Sequence, residues 1–158
     1  VKLSEELHLL SLYLGLQQRR FKERLTVSFD IDPRTEDIQI PSLLLQPVVE
    51  NTIKWAVAPF AGPASVEVAT ELRSDRFSIV IKDSGQGMTP DVKRHIFDPF
   101  YTTKEVGKGT GLGLSISKHF VELHGGRMWV ESATNRGSTL MLLAPAPAQP
   151  PCTSLYVT

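Results

Sequence analysis

Four glycines, at positions 107, 109, 111 and 113, alternate with other residues just before a stretch of helical spacing. Glycine loses more conformational freedom on folding than any other residue, so turn geometry alone does not explain such a run. Backbone amides that no side chain covers, followed by a helix N-terminus, form a site for an anion such as phosphate. The spacing fits neither the dinucleotide fingerprint nor the Walker A motif. We therefore expect a phosphate-binding loop, to which Lys104 and Lys108 add positive charge and Thr110 adds a hydroxyl.

Helix-like and strand-like segments alternate along the rest of the chain. Apolar residues recur at helical spacing in three segments, 3–24, 41–57 and 113–125. Strand-like patterns bounded by turn-forming residues occur in five segments, 25–32, 66–72, 76–83, 127–132 and 138–144. Pro47 limits where the regular helix of the second helical segment can begin. Together these elements predict an α/β two-layer sandwich, in which about three helices cover one face of a mixed, mostly antiparallel sheet.

Three segments need separate interpretation. The helix at 3–24 has a second apolar face, Leu9, Leu12 and Leu16, so it either packs on both the domain and a partner helix or is simply buried in its own core. Residues 90–110 are polar and broken by glycine and proline, which predicts a mobile segment with little regular structure. The Pro/Ala-rich stretch 144–151 cannot continue a sheet, so we expect the domain to end near Ala144 and residues 145–158 to form a linker or tail.

Charge and cysteine content argue against several classes of protein. Lys plus Arg and Asp plus Glu both number 17, so no overall field attracts nucleic acid or an anionic membrane. No apolar run approaches the roughly 18 residues that a membrane span requires. The single cysteine, Cys152, provides neither an intrachain disulfide nor a cysteine metal site, which fits a reducing compartment. We therefore expect this chain to contact neither nucleic acid nor membrane.

Glu50 and Asn51 lie side by side on the second helical segment, and Lys54 and Trp55 follow one turn later. A carboxylate and an amide supply the oxygen ligands that magnesium prefers alongside substrate phosphates. Lys54 lies on nearly the same helix face and can reach a phosphate. The pattern indicates a metal and phosphate site, although the same residues taken alone also fit an ordinary solvated helix end.

Asp83 ends an apolar strand and begins the sequence Asp-Ser-Gly-Gln-Gly-Met. Its carboxylate can accept a hydrogen bond from the exocyclic amine of a purine, and the glycines let a flat ring approach the backbone closely. Met88 offers a soft apolar contact to such a ring. As a lone match, this segment would more simply be a tight turn.

Three aromatic residues, Phe97, Phe100 and Tyr101, interrupt an otherwise polar segment. Exposed aromatic rings are costly unless they cover something, so they either anchor a lid to this or a neighbouring domain or form a small satellite core.

In their order and spacing these segments resemble the four nucleotide-binding boxes of histidine kinase catalytic domains. The segments are the asparagine box, Glu50-Asn51; the first glycine box, Asp83-x-Gly85-x-Gly87-Met88; the phenylalanine box, Phe97-x-Pro99-Phe100; and the second glycine box, Gly107 to Leu114. The resemblance covers residues from about 40 to 144 and implies the Bergerat fold of the ATPase superfamily that includes DNA gyrase, with an ATP lid at 90–110. The amino-terminal part, LSLYLGLQQRRFKERL followed by IPSLLLQPVVEN, resembles the LytS-related sensor kinases.

The resemblance implies ATP and Mg²⁺ as ligands of a cytoplasmic kinase domain. Asn51 would hold the metal, Glu50 would polarise the nucleophile or help to hold the metal, and Lys54 would contact phosphate. Trp55, where the family often has His or Tyr, would lie near the nucleotide. The phosphates would be wrapped by residues of the second glycine box: Gly109, Gly111, Leu112 and Gly113, with Lys104, Lys108 and Thr110 beside them.

On the adenine side, the resemblance implies that Asp83 hydrogen-bonds the adenine amine. Gly85 and Gly87 would shape the pocket, Met88 would lie against the ring, and Thr139 would contact the adenine through a water.

The phosphoacceptor histidine of such kinases lies on a dimerisation helix and is followed by an acidic residue. None of the four histidines, at positions 8, 95, 119 and 124, has this context. We therefore expect an upstream dimerisation and phosphoacceptor domain, a homodimeric full protein and a response regulator partner, with residues 1–24 leading from that domain into a catalytic domain at 25–144. The alternatives are an ATPase that drives a conformational cycle and a binding module with a vestigial nucleotide site.

Overall fold

A five-stranded sheet forms one layer of the molecule, in a computed structural model that describes residues 1–101 and 113–148. Its strands are β1 (Leu25–Ile31), β2 (Ala64–Leu72), β3 (Arg76–Asp83), β4 (Arg127–Ser132) and β5 (Ser138–Pro145). The order across the sheet is β1-β2-β3-β5-β4. Only β1 and β2 pair in parallel, while the other three pairings are antiparallel. This arrangement confirms the mixed, mostly antiparallel sheet predicted from the sequence.

The second layer is helical. Its α-helices are α1 (Leu3–Phe21), α2 (Gln46–Asn51), α3 (Pro90–His95) and α4 (Gly113–Leu123). Two short 3₁₀ turns lie at Lys22–Arg24 and Pro33–Thr35, and α2 continues directly into a π-helical segment, Thr52–Val57, called the π segment below. The regular part of the second predicted helix is thus shorter than its apolar spacing suggested. It begins at Gln46 with Pro47 in its first turn, where a missing backbone N–H costs nothing.

One continuous core joins the two layers. Leu3, Leu7, Leu10 and Leu14 form a stripe on α1 that is buried against the sheet, while Leu9, Leu12 and Leu16 remain exposed in this chain. On β3 and β5 every second residue points into the same core, as the period of two requires. The amino-terminal helix is therefore part of the domain's own core, with one apolar face left over.

The segment at 90–110 contains more regular structure than expected. Thr89 accepts a hydrogen bond from the Val92 amide (3.3 Å), and Pro90 occupies the first turn, so the chain forms the short helix α3. The prediction of little regular structure is therefore wrong for residues 90–95, and residues 102–110 lie outside the described part. At the other end, β5 continues one residue past Ala144.

Candidate nucleotide site

Asp83 is the most buried carboxyl group at the predicted site. It ends β3 on the face that carries Ile79 and Ile81, and it is only 5% exposed. Its Oδ1 accepts a hydrogen bond from the Gly85 amide (2.9 Å), and the Ser138 amide donates to the same carboxyl. Burial outweighs these two donors and raises the pKa of Asp83 to about 6. The end of β3 thus places a hydrogen-bond acceptor on the core side of the sheet, where burial disfavours the ionised form of the carboxyl.

The turn after Asp83 is wedged between two other elements. A Cβ at Gly85 would overlap the carbonyl oxygen of Ala56 in the π segment. Gly87 has a φ of +69°, and a Cβ there would overlap the carbonyl of Ala133 after β4. A side chain at either position would push the turn away from its neighbours, so both glycines are required by close backbone approach.

Gln86 fastens this turn to the π segment. Its side-chain Nε2 donates to the Trp55 carbonyl (2.5 Å), and its backbone amide donates to the Ala56 carbonyl (3.4 Å). The predicted metal-side helix and the predicted adenine-side turn are therefore in direct contact.

Ser132, a residue that the sequence did not single out, holds the far side of the turn. Its Oγ accepts from the Met88 amide (2.8 Å) and donates to the Gly137 carbonyl (2.9 Å). It also lies 2.8 Å from the Ser138 hydroxyl. These contacts tie the first glycine box to the turn between β4 and β5.

The structure places Thr139 away from Asp83. Asp83 pairs with Ser138 across the β3–β5 ladder, whereas Thr139 pairs with Lys82. Directly opposed residues share a face of the sheet, so Thr139 lies on the face opposite the core and Ser138 lies beside Asp83. The structure therefore does not bring Thr139 together with Asp83, and its neighbour Ser138 lies beside that carboxyl instead. The apolar alternation of Leu140, Leu142 and Ala144, counted back along β5, already points to Ser138.

The metal-side residues lie on one stretch of helix. Glu50 and Asn51 are half-buried at the end of α2, and the side-chain Nε2 of Gln46 donates to Glu50 Oε1 (3.0 Å). Lys54 is exposed and Trp55 is half-buried in the π segment. The described residues contain no cluster of three or more His, Cys, Asp or Glu side chains that could enclose a metal ion. Two oxygen-bearing side chains on one helix end fit magnesium, which takes few protein ligands when it is bound together with a nucleotide.

Only the end of the predicted phosphate loop lies within the described residues. Lys104, Lys108, Gly109, Thr110, Gly111 and Leu112 lie outside the described residues. Gly113, the last glycine of the run, begins α4, and a Cβ there would stand 3.2 Å from the Pro47 side chain. The start of α4 is therefore packed against the start of α2, which brings the end of the loop to the helix that carries Glu50 and Asn51.

The aromatic residues divide into two groups. Phe97 is half-buried against the core, and the Lys118 ammonium lies 4.9 Å from the centroid of its ring. Phe100 is 73% exposed, and Tyr101 lies 5.5 Å from the His95 ring. Of the two alternatives weighed from the sequence, core packing applies to Phe97, while the exposed ring of Phe100 leaves the lid-anchor alternative a prediction.

Comparison with known proteins finds one matching family and many similar sensor proteins. The family model of histidine kinase-, DNA gyrase B- and HSP90-like ATPases matches residues 36–148. The sensor protein FixL of Bradyrhizobium diazoefficiens is 33% identical over 136 residues, covering 84% of this chain and 26% of that protein. The sensor protein LytS of Enterococcus faecalis is 31% identical over 147 residues, covering 92% of this chain and 25% of that protein. The chain thus spans about a quarter of these relatives.

Solved structures show the same fold. The catalytic domain of histidine kinase ThkA in a nucleotide-free form matches with a TM-score of 0.66 and 27% identity, over 92% of this chain and 93% of that one. ThkA in complex with the response regulator protein TrrA matches with a TM-score of 0.65 and 23% identity, over 93% of this chain and 41% of that one. Across residues 1–101 and 113–148, no helix has both the length and the apolarity needed to cross a bilayer.

Proposed function

The chain belongs to the histidine kinase-, DNA gyrase B- and HSP90-like ATPase family as a histidine kinase catalytic domain, and from this premise we propose that it binds Mg–ATP and donates the γ-phosphoryl group to a histidine outside residues 1–158. The observation that carries the proposal is the buried Asp83 carboxyl, which the turn at Gly85 and Gly87 joins directly to the helix of Glu50 and Asn51. The proposed purine acceptor and the proposed metal ligands thus lie on two elements that contact each other, the turn after β3 and the helix that continues into the π segment.

On the adenine side, Asp83 accepts a hydrogen bond from the exocyclic amine of the nucleotide. Its carboxyl already takes two backbone donors, and a carboxylate has room for more, since each oxygen carries two lone pairs. A donor from the base would compensate for the burial that now disfavours the ionised form. Ser138, beside Asp83, is the residue we assign to the second contact that was expected of Thr139.

On the phosphate side, Asn51 and Glu50 hold the metal and Lys54 contacts phosphate oxygens. When bound, Mg²⁺ neutralises charge on the transferring phosphoryl group. The second glycine box, with Lys104, Lys108 and Thr110, surrounds the phosphates, and residues 90–110 act as the lid. Leu112 and Gly113 join this loop to α4, whose start is fixed against Pro47.

The acceptor histidine belongs to a dimerisation domain of the same or a partner protomer. We propose that α1, which also packs on the core of the catalytic domain at 25–144, connects the two domains. We further propose that the full protein is a homodimer working in the cytoplasm, where ATP is available, and that it serves a response regulator. The ThkA–TrrA complex supports a regulator partner by analogy.

Calorimetric titration of the chain with a non-hydrolysable ATP analogue, with and without Mg²⁺, tests the proposal. We expect binding that strengthens with Mg²⁺ and weakens about 10- to 100-fold in Asp83→Asn, which corresponds to one hydrogen bond to a charged group. Asp75→Asn, an exposed carboxylate in the β2–β3 turn, is the matched control and should bind like the wild type. Equal affinity in Asp83→Asn would refute the adenine assignment. Steady ATP hydrolysis by the isolated chain would instead favour an ATPase cycle.

A further inference from the structure

The loop before α2 is held in an unusual conformation. Leu43 has a φ of +60°, although it is not glycine and its side chain is 55% exposed. A left-handed conformation of this kind costs an L-residue about 1–2 kcal/mol and persists only where the surrounding structure enforces it. Leu44 and Leu45, the next two residues, are buried in the core, and Leu45 precedes the first residue of α2.

Glu6 of α1 enforces this conformation from one side. Its side chain is 2% exposed, which is rare for a carboxylate, and it accepts two backbone hydrogen bonds. The Leu43 amide donates to Oε1 (2.6 Å), and the Leu45 amide donates to Oε2 (3.1 Å). Both oxygens are therefore used to fix the chain at the entrance of α2.

Ser117 of α4 holds the same loop from the other side. It is also 2% exposed, and its hydroxyl donates to the Leu44 carbonyl (3.1 Å). Three consecutive residues, 43 to 45, are thus bonded through their backbones to two different helices. We call Glu6, the loop 43–45 and Ser117 the polar junction.

The polar junction contacts α4 and the start of α2, the two helices that lie nearest the phosphates in the proposed function. α2 ends with Glu50 and Asn51, and α4 begins at the last glycine of the second glycine box. We propose that Glu6 and Ser117 are positioning residues, which hold these two helices in the arrangement that Mg–ATP requires. The family model matches only from residue 36, whereas α1 precedes that residue. The proposal therefore gives α1 a part in nucleotide binding.

The inference rests on the proposed function, and its effect should be confined to the phosphate side. On the adenine side, β3, the β4–β5 turn and Ser132 have no described hydrogen bond to Glu6 or Ser117. This side contacts the helix that carries Glu50 and Asn51 through Gln86, which bonds to the π segment beyond Asn51 rather than to the entrance of α2. Suppose that loss of the contacts of either Glu6 or Ser117 leaves the helix arrangement that binds Mg–ATP populated about a tenth of the time. The apparent Kd for Mg–ATP then rises about tenfold. Adenosine has no phosphates, so its binding does not require that helix arrangement. Its affinity should therefore stay within about twofold of the wild-type value.

The experiment measures Kd for an ATP analogue with Mg²⁺ by calorimetry and Kd for adenosine by NMR titration, in the full chain and its variants. Glu6→Gln replaces one acceptor by a donor that faces a backbone N–H, and Ser117→Ala removes the hydroxyl. Glu5→Gln and Ser11→Ala are the controls, because both residues are exposed on α1. Amide hydrogen exchange of Leu43 and Leu45 reports the clamp itself.

We expect both test variants to lose affinity for the Mg²⁺-bound analogue while adenosine binding and both controls stay unchanged, and we expect faster exchange of the two amides in Glu6→Gln. Wild-type affinity in both test variants would overturn the inference. Equal losses for the analogue and adenosine would also overturn it, because they indicate general loosening. If Glu6→Gln does not fold, Glu6→Asp, which keeps a carboxylate too short to reach both amides, replaces it. A wild-type chain that binds no nucleotide would refute the proposed function, and the exchange of the two amides would still test the clamp.

Discussion

Burial of Asp83 makes the stability of the nucleotide-free domain depend on pH in a way that can be measured. Its pKa is raised from about 3.8 to about 6, so the folded state holds this proton more tightly than the unfolded chain does. Below pH 3.8 both states are protonated and Asp83 has no effect. As pH rises through the window between 3.8 and 6, the unfolded chain ionises first, and the unfolding free energy falls. The loss is complete only well above pH 6, where the folded state is also ionised.

The size of the loss follows from the two pKa values. A shift of one unit corresponds to about 1.36 kcal/mol, so the full penalty at high pH is about 3 kcal/mol. Over the accessible range from pH 5 to pH 7.5, the linkage relation gives a fall of about 1 kcal/mol, since about half of the penalty is already present at pH 5.

The assay is urea unfolding of the wild type and Asp83→Asn at a series of pH values without nucleotide. Other groups titrate in both proteins, so the quantity of interest is the difference between the two unfolding free energies. We expect the wild type to lose about 1 kcal/mol relative to the variant between pH 5 and pH 7.5. Asp75→Asn, whose side chain is 77% exposed, should track the wild type across the range. A pH-independent difference between wild type and Asp83→Asn would show that this carboxyl ionises as freely as in water, and the reasoning from burial would be wrong.

Three further predictions, which use five substitutions, test the packing of the site and of α1. Gly85→Ala should lower stability by about 2 kcal/mol or more and abolish nucleotide binding, because its Cβ meets the Ala56 backbone. Gly15→Ala, with nothing near its Cβ, should instead raise stability by about 0.5–1 kcal/mol. Thermal unfolding compares the two variants. Ser132→Ala should lower the unfolding free energy by about 1–3 kcal/mol and weaken adenosine binding, because it leaves the Met88 amide without its acceptor. Unchanged binding in an NMR titration would contradict the role given to Ser132. In urea unfolding, Leu10→Ala should lower the unfolding free energy by about 3–5 kcal/mol and Leu12→Ala by less than about 1 kcal/mol. Leu10 is 1% exposed and Leu12 is 55% exposed. Similar losses would disprove the assignment of these residues to a buried and an exposed face of α1.

The strands were predictable from the sequence because side chains alternate with a period of two on a half-buried sheet. All five predicted segments correspond to strands, and Pro47 marked the first turn of α2. The parallel pairing of β1 with β2 was not predictable in this way, because alternation gives a strand its faces but not its neighbour. α3 was missed although Thr89 and Pro90 form a helix start signal, since the glycine and proline content of the longer segment outweighed it.

The candidate site was predictable wherever a motif fixes backbone geometry, and less so where a single side chain matters. Asp83 and its glycines lie where the pattern put them, at a strand end against another backbone. Thr139 was misplaced because a shift of one residue along a strand reverses the face. Glu6 reads in sequence as one of two acidic residues in the first turn of a helix. Its burial depends on a loop almost 40 residues later, which no local pattern contains.

The parallel pairing of β1 with β2 also bears on the order in which the molecule assembles. β2 and β3 form a hairpin, as do β4 and β5, and both close over short turns, whereas Leu25 must find Ala64 about 40 residues away. Contacts between distant parts of a chain form slowly, so we expect the two hairpins to be in place before the first third of the chain docks. By the same reasoning, α1 and β1 should detach first under mild denaturant, leaving an adenine pocket that is largely formed beside a phosphate side that is not.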